Sequence, residues 1–190
     1  MPIRLYTPLT KEKLAPLTAG DEVLLTGTIY TARDAAHKRI VELLENGEQP
    51  PFDLRDATIY YVGPTPARPG RATGSFGPTT SFRMDVYSPK LLERGLSAMI
   101  GKGQRTRPVI ESIMKNGAVY FGTIGGTAAL NGRCIRTKET IAFPELDSEA
   151  VCCVEVENMP LTVIVDSKGN DYYRTGVEHY LNSKSRSKDF

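Results

Sequence analysis

Two arginines, a lysine and a pair of threonines are the side chains whose types and spacing could do chemistry. Arg33 opens Arg33-Asp-Ala-Ala-His37, Thr79, Thr80 and Arg83 share Gly77-Pro-Thr-Thr-Ser-Phe-Arg-Met-Asp85, and Lys102 sits between glycines in Gly101-Lys-Gly103. Consecutive hydroxyls beside exposed backbone N–H groups form an oxyanion cradle, to which a nearby guanidinium adds its planar fork. The same hydroxyls also suit helix capping. Arg33 reads as part of the first turn of a helix, where the macrodipole disfavours a cation. An anionic ligand relieves that tension, and so does a carboxylate such as Asp34. His37, one turn later on the same face, either orients a neighbouring group or is a hydrogen-bonded structural histidine.

Lys102 follows a short apolar strand, at the strand end where α/β sheets hold ligands. The spaced glycine and the Ser or Thr of a Walker loop are missing around it. Gly125-Gly-Thr-Ala-Ala129 either seats a helix N-terminus near an anion or lets a small-residue helix pack closely on a sheet, and the packing role is favoured. Arg33, Arg83, Lys102, Thr79 and Thr80 together suit a small dicarboxylate, one arginine to each carboxylate and a donor left for a hydroxyl. What the set lacks is a base. No carboxylate pair or Cys/His couple has a spacing that identifies a nucleophile or proton acceptor, so the chain is incomplete as a catalyst.

The elements that must position these residues alternate. Glu22 to Tyr30 is a β-branched-rich strand, and Ala32 to Glu45 has helical spacing closed by Asn46-Gly47. Ala57 to Val62 is a second strand, and Gly63 to Pro78 is a Gly- and Pro-rich loop whose length points to function. A short helix over 89–94, a strand over 96–100, a helix over 107–116 ended by Gly117 and a strand over 118–122 continue the βα alternation. From Thr140 the pattern turns to strands, at 150–157 and 161–166, with a hairpin turn at 167–170. These patterns predict a single mixed α/β domain over 1–180, with a polar tail over 181–190, frayed or docked on a partner.

Composition narrows the classes. The 190 residues are 40% hydrophobic and 24% charged, as in ordinary globular domains, and the net charge of +2 gives no field that argues for nucleic acid. Met1-Pro-Ile-Arg-Leu-Tyr lacks the apolar run of a signal peptide, and no stretch approaches the roughly 20 apolar residues of a membrane span. The cytoplasm is the expected address. Cys134, Cys152 and Cys153 suit neither a disulfide framework nor a closed metal site and are expected as small buried side chains. With only His37 and His179 besides, a self-contained transition-metal site is not expected.

Thr26-Gly-Thr, Arg33-Asp-Ala-Ala-His37, Gly77-Pro-Thr-Thr-Ser-x-Arg-Met-Asp85, Gly101-Lys-Gly103 and Gly125-Gly-x-Ala-Ala129 occur in order over about residues 20–170. In this series the chain resembles the β subunit, or C-terminal half, of class I fumarate hydratases and L-tartrate dehydratases. The resemblance implies a swivelling β/β/α domain and reversible hydration of fumarate to (S)-malate. It also implies an α subunit partner that holds a [4Fe-4S] cluster through three cysteines and supplies the base, with assembly as a dimer of heterodimers. Arg33, Arg83 and Lys102 match the family's substrate-binding cations. Thr79 and Thr80 match its threonine pair, one of which is proposed as proton donor. Met84-Asp85 matches the fumarase pattern, since tartrate enzymes tend to carry Glu at the Asp85 position. Tartrate or a methylated fumarate as substrate stays open, as does a stand-alone small-anion module. A purely structural domain leaves the grouped cations unexplained.

Overall fold

A computed structural model of the chain describes residues 1–123 and 126–186. In chain order the elements are β1 (Ile3–Tyr6), α1 (Lys11–Leu14), β2 (Glu22–Thr31), α2 (Asp34–Glu45), β3 (Thr58–Tyr60), α3 (Ser88–Glu93) and β4 (Ala98–Gly101). They continue with α4 (Arg107–Asn116), β5 (Val119–Gly122), α5 (Ala128–Arg133), β6 (Ile135–Ala142), β7 (Val151–Val165) and α6 (Tyr172–Arg186). The architecture is a mixed α/β single domain.

Strands β2, β3, β4 and β5 are joined through helices, so each lies parallel to the next. The long β7 runs antiparallel to both β2 and β5, which closes β2-β3-β4-β5-β7 into a ring. β1 and β6 pair outside that ring, on β2 and β7.

Because strand side chains alternate, each ring strand feeds two apolar clusters. Leu25, Ile29, Tyr60, Ile100, Phe121, Val154 and Val163 belong to the cluster inside the ring. Ile59, Met99 and Tyr120 face outward onto Ala36 and Ile40 of α2, Leu91 of α3 and Val109 and Ile113 of α4. Burial on both faces explains why β3, β4 and β5 read as continuous apolar runs.

The strand and helix expectations between residues 22 and 122 match this order. Outside that range the order differs in two places. The residues before the first expected strand form β1 and α1, whose Leu5 and Leu14 are buried with Leu9 and Leu17 in the inner cluster. The two strands expected at 150–157 and 161–166 are one strand, β7, which passes through Asn158 at φ 49°. The expected turn at 167–170 closes a single antiparallel bridge, Val165 with Asp171, and α6 begins directly after it. The Asp166 carboxylate accepts N–H bonds from Lys168 and Asn170 at 2.9 and 3.0 Å and so fixes that turn. Helix α6 runs past position 181 to Arg186, and residues 187–190 of the expected tail lie outside the described residues. No helix among the described residues is long and apolar enough to cross a membrane.

Candidate functional site

The C-terminal ends of β2, β3 and β4 meet at one side of the sheet, and the loop from Gly77 to Asp85 is stitched across them. Thr79 N–H donates to the Tyr61 carbonyl at 2.7 Å, and Ser81 N–H donates to the Lys102 carbonyl at 2.9 Å. Thr80 pairs with Lys102 in a parallel bridge. Lys102 N–H donates in turn to Ser81 Oγ at 3.1 Å. The Tyr120 hydroxyl donates to the Gly103 carbonyl at 3.0 Å, so the Ser81 hydroxyl, 2.9 Å away, donates to Tyr120. A Cβ on Gly101 would overlap Ser81 Oγ, which is why the residue before Lys102 must be glycine. Thr80 precedes a 3₁₀ turn, Ser81–Met84, but its side chain makes no capping bond. Thr80 is an exposed residue.

Arg33 does not lie in the first helical turn as expected. It is the extended residue just before α2, at φ −118° and ψ −162°, and Asp34 begins the helix. Its guanidinium is held by Glu149 at 3.1 Å. The other Glu149 oxygen accepts the Ala35 N–H at 3.1 Å. Asp34 and Glu149 thus put negative charge at the positive end of α2 and offset the cation there.

Asp34 Oδ2 stands 4.0 Å from Arg33 Nε and 3.3 Å from Arg83, so one carboxylate draws both arginines together. Neither that oxygen nor Arg33 Nε makes a hydrogen bond, although both are buried. Arg83 also reaches Thr79 Oγ1 at 3.5 Å. A Cβ on Gly63 would stand 2.6 Å from the Arg33 guanidinium. The result is two guanidiniums, 20% and 41% exposed, converging beside Thr79. Such a group can take a planar carboxylate on each fork.

His37 is fully buried. Its backbone N–H and its Nδ1 both lie on the Arg33 carbonyl, at 2.8 and 2.9 Å, so Nδ1 carries the proton and donates. Nε2 has no partner, and burial, the largest cause, lowers the imidazole pKa to about 4. His37 is a neutral support for the backbone that carries Arg33.

Asp85, the last residue of the loop, turns inward. Its carboxylate accepts from Arg105 Nε and from Thr106 N–H, both at 2.7 Å. Arg105 has no exposed side-chain surface, donates to Ser88 Oγ at 2.8 Å and lies over the rings of Tyr61 and Tyr120 at 5.4 and 4.9 Å. Asp85 therefore ties the loop to the start of α4 and is buried against Arg105. Sequence reasoning missed Arg105. The only available signal was an arginine two residues after the Gly101-Lys-Gly103 loop, and burial decides its role.

Lys102 is bonded to the 77–85 loop through its backbone and also lines a cleft of about 550 Å³ with Thr123, Tyr172 and Tyr173. Gly125 lies outside the described residues. The small residues that follow it in α5 pack against the 63–78 loop as well as the sheet, with Ala128 accepting the Phe76 N–H at 2.9 Å. Of the cysteines only Cys152 is buried, and Cys134 and Cys153 are partly exposed. Among the described residues no three His, Cys, Asp or Glu side chains gather to hold a metal ion.

Fold and site together define a mixed α/β domain that presents convergent arginines and threonines at its strand ends. The family described as Fumarase C-terminus matches residues 1–176, and the chain belongs to it. It is 42% identical over 175 residues to Fumarate hydratase 2 of Leishmania major, covering 90% of this chain and 31% of that protein. It is 41% identical over 169 residues to the aerobic class I fumarate hydratase of Escherichia coli strain K12, covering 86% of this chain and 31% of that protein. The chain thus spans about a third of the fumarate hydratases it matches. Against a putative L(+)-tartrate dehydratase subunit beta of Methanocaldococcus jannaschii it is 40% identical over 174 residues, covering 88% of this chain and 89% of that subunit.

Proposed function

We propose that this chain is the β part of a fumarate hydratase, a swivelling β/β/α domain whose active site is shared with a separate α polypeptide carrying a [4Fe-4S] cluster. The observation that carries the reading is the convergence of Arg33 and Arg83 on Asp34 beside Thr79. In this reading each arginine binds one carboxylate of fumarate, and Asp34 and Glu149 hold the forks in place before the substrate arrives. Preorganised donors of this kind contribute most where charge grows in the transition state. Hydration adds hydroxyl to one alkene carbon and a proton to the other. Thr79 or Thr80 passes a proton on the substrate's side of the loop, and the base comes from the partner. Lys102 adds positive charge from the neighbouring strand end, and the pair assembles as a dimer of heterodimers.

The test is anaerobic co-expression with the α polypeptide, followed by a steady-state assay of fumarate hydration. Activity is expected from the pair only, and robust turnover by the isolated, metal-free chain overturns the reading. Tight dicarboxylate binding by the lone chain, unchanged by the α polypeptide, would instead identify a stand-alone binding module. L(+)-tartrate is the second substrate to test, because the tartrate dehydratase subunit is nearly coextensive with this chain. The higher kcat/KM names the substrate.

A further inference from the structure

The loop from Gly63 to Pro78 contains Arg68-Pro-Gly-Arg71, which the arginine and threonine site does not use. Proline followed by glycine is the signature of a type II turn, and Gly70 has the positive φ such a turn needs, +74°. The Arg71 N–H donates to the Arg68 carbonyl at 3.0 Å and closes the turn, so two arginines stand side by side at its ends. The Thr65 and Ser75 backbones pair at the base of the turn, and the Thr65 hydroxyl accepts the Ser75 N–H at 2.8 Å. Arg133, at the end of α5, faces the same cleft of about 270 Å³.

Two observations mark this cleft as more than a solvated basic surface. Among the described residues Arg68, Arg71 and Arg133 make no ion pair with a carboxylate, whereas Arg33 and Arg83 are both countered by Asp34. Thr73 also lines the cleft and is only 5% exposed, yet its hydroxyl has no hydrogen-bond partner. A buried hydroxyl left without a partner is costly, and a ligand that turns the Thr73 side chain toward the cleft would supply one. None of the residues lining this cleft belongs to the Arg33 and Arg83 group.

We propose that Arg68, Arg71, Arg133 and Thr73 form a second anion site, and that its ligand is a phosphate group, free or as a monoester. Three uncompensated guanidiniums match the charge and tetrahedral donor directions of phosphate better than the two separated ends of a dicarboxylate. The Thr73 hydroxyl completes the set as donor to a phosphate oxygen. This inference stands apart from the proposed hydratase activity and is read without it.

The experiment is calorimetric titration of the full chain with inorganic phosphate and with glycerol phosphate, at constant ionic strength set with potassium chloride. Binding is expected to weaken at least about tenfold in Arg71→Gln and in Thr73→Val, the loss of one charge-assisted bond, and to persist in Arg83→Gln. Thr73→Ser keeps the hydroxyl and is expected to keep binding, which separates loss of the donor from damage to the loop. Tighter binding of glycerol phosphate assigns the site to an organic phosphate, and equal binding assigns it to free phosphate. The proposal fails if phosphate does not bind, if chloride at matched ionic strength abolishes binding, or if Arg83→Gln weakens it as much as Arg71→Gln.

Discussion

Arg33 and Arg83 are held by charge rather than by saturated hydrogen bonds, since Asp34 Oδ2 approaches both without bonding to either. Arg83, the more exposed of the two, keeps donors open to a ligand, whereas Arg33 Nε is buried and its Nη2 faces Glu149. Arg33→Ala or Arg83→Ala is expected to lower kcat/KM of the assembled hydratase by about 2 to 4 kcal/mol in transition-state stabilisation, roughly 30- to 1,000-fold. For Arg83, the more exposed of the two, the melting temperature should change little. Activity within a factor of two of the parent rejects the assignment.

His37 makes a separate prediction. Burial lowers its pKa to about 4 in the folded chain, below the usual 6.5, so the unfolded chain binds its proton first as pH falls. The neutral-histidine contribution is complete above pH 6.5 and is lost between about 6.5 and 4, an effect on the order of 3 kcal/mol. Urea midpoints measured across that window should fall less steeply for His37→Gln than for the parent chain. Equal slopes would show that His37 does not carry the dependence.

At the scale of elements, the site depends on strand ends that accept close neighbours. Gly63 leaves room for the Arg33 guanidinium, so Gly63→Ala should push aside a flexible side-chain end. A raised KM with little change in melting temperature is the expected result, measured by steady-state kinetics and thermal denaturation. Arg105 acts on stability instead. It joins the 77–85 loop, α3 and the start of α4 through Asp85, Ser88 and the rings of Tyr61 and Tyr120. Arg105→Met leaves Asp85 buried without its partner and should cost about 3 to 5 kcal/mol in urea denaturation. Adding Asp85→Leu should recover part of that loss, because the uncompensated charge is then gone.

For the whole molecule, β7 closes the ring that holds the strand ends in register. It pairs with β2, β5 and β6, so residues far apart in the chain are fixed relative to one another. The interior of the ring should therefore govern overall stability more than the site does. Phe121→Ala, inside the ring and away from the loop contacts, is expected to destabilise the fold by about 3 to 5 kcal/mol, measured by chemical denaturation.

The local code was legible where it is short-ranged. β2, α2, β3, α4 and β5 announce themselves by period and by the glycines that end the helices, and Arg33, Thr79, Thr80, Arg83 and Lys102 by motif. The mixed α/β class follows from the alternation of those elements. Asn158 inside β7, the turn into α6 and the leucines of the first 17 residues depend on partners distant in sequence, so no local pattern declares them. The same holds within the site. Sequence alone identified which cations and hydroxyls could grip an anion. Only the tertiary structure decided that Asp85 belongs to Arg105, that Asp34 stands between two arginines, and that Lys102 also lines a cleft with Tyr172 and Tyr173. Charge pairing and burial are set by which strand ends meet, and that meeting is fixed by a ring closed across residues 22 to 165.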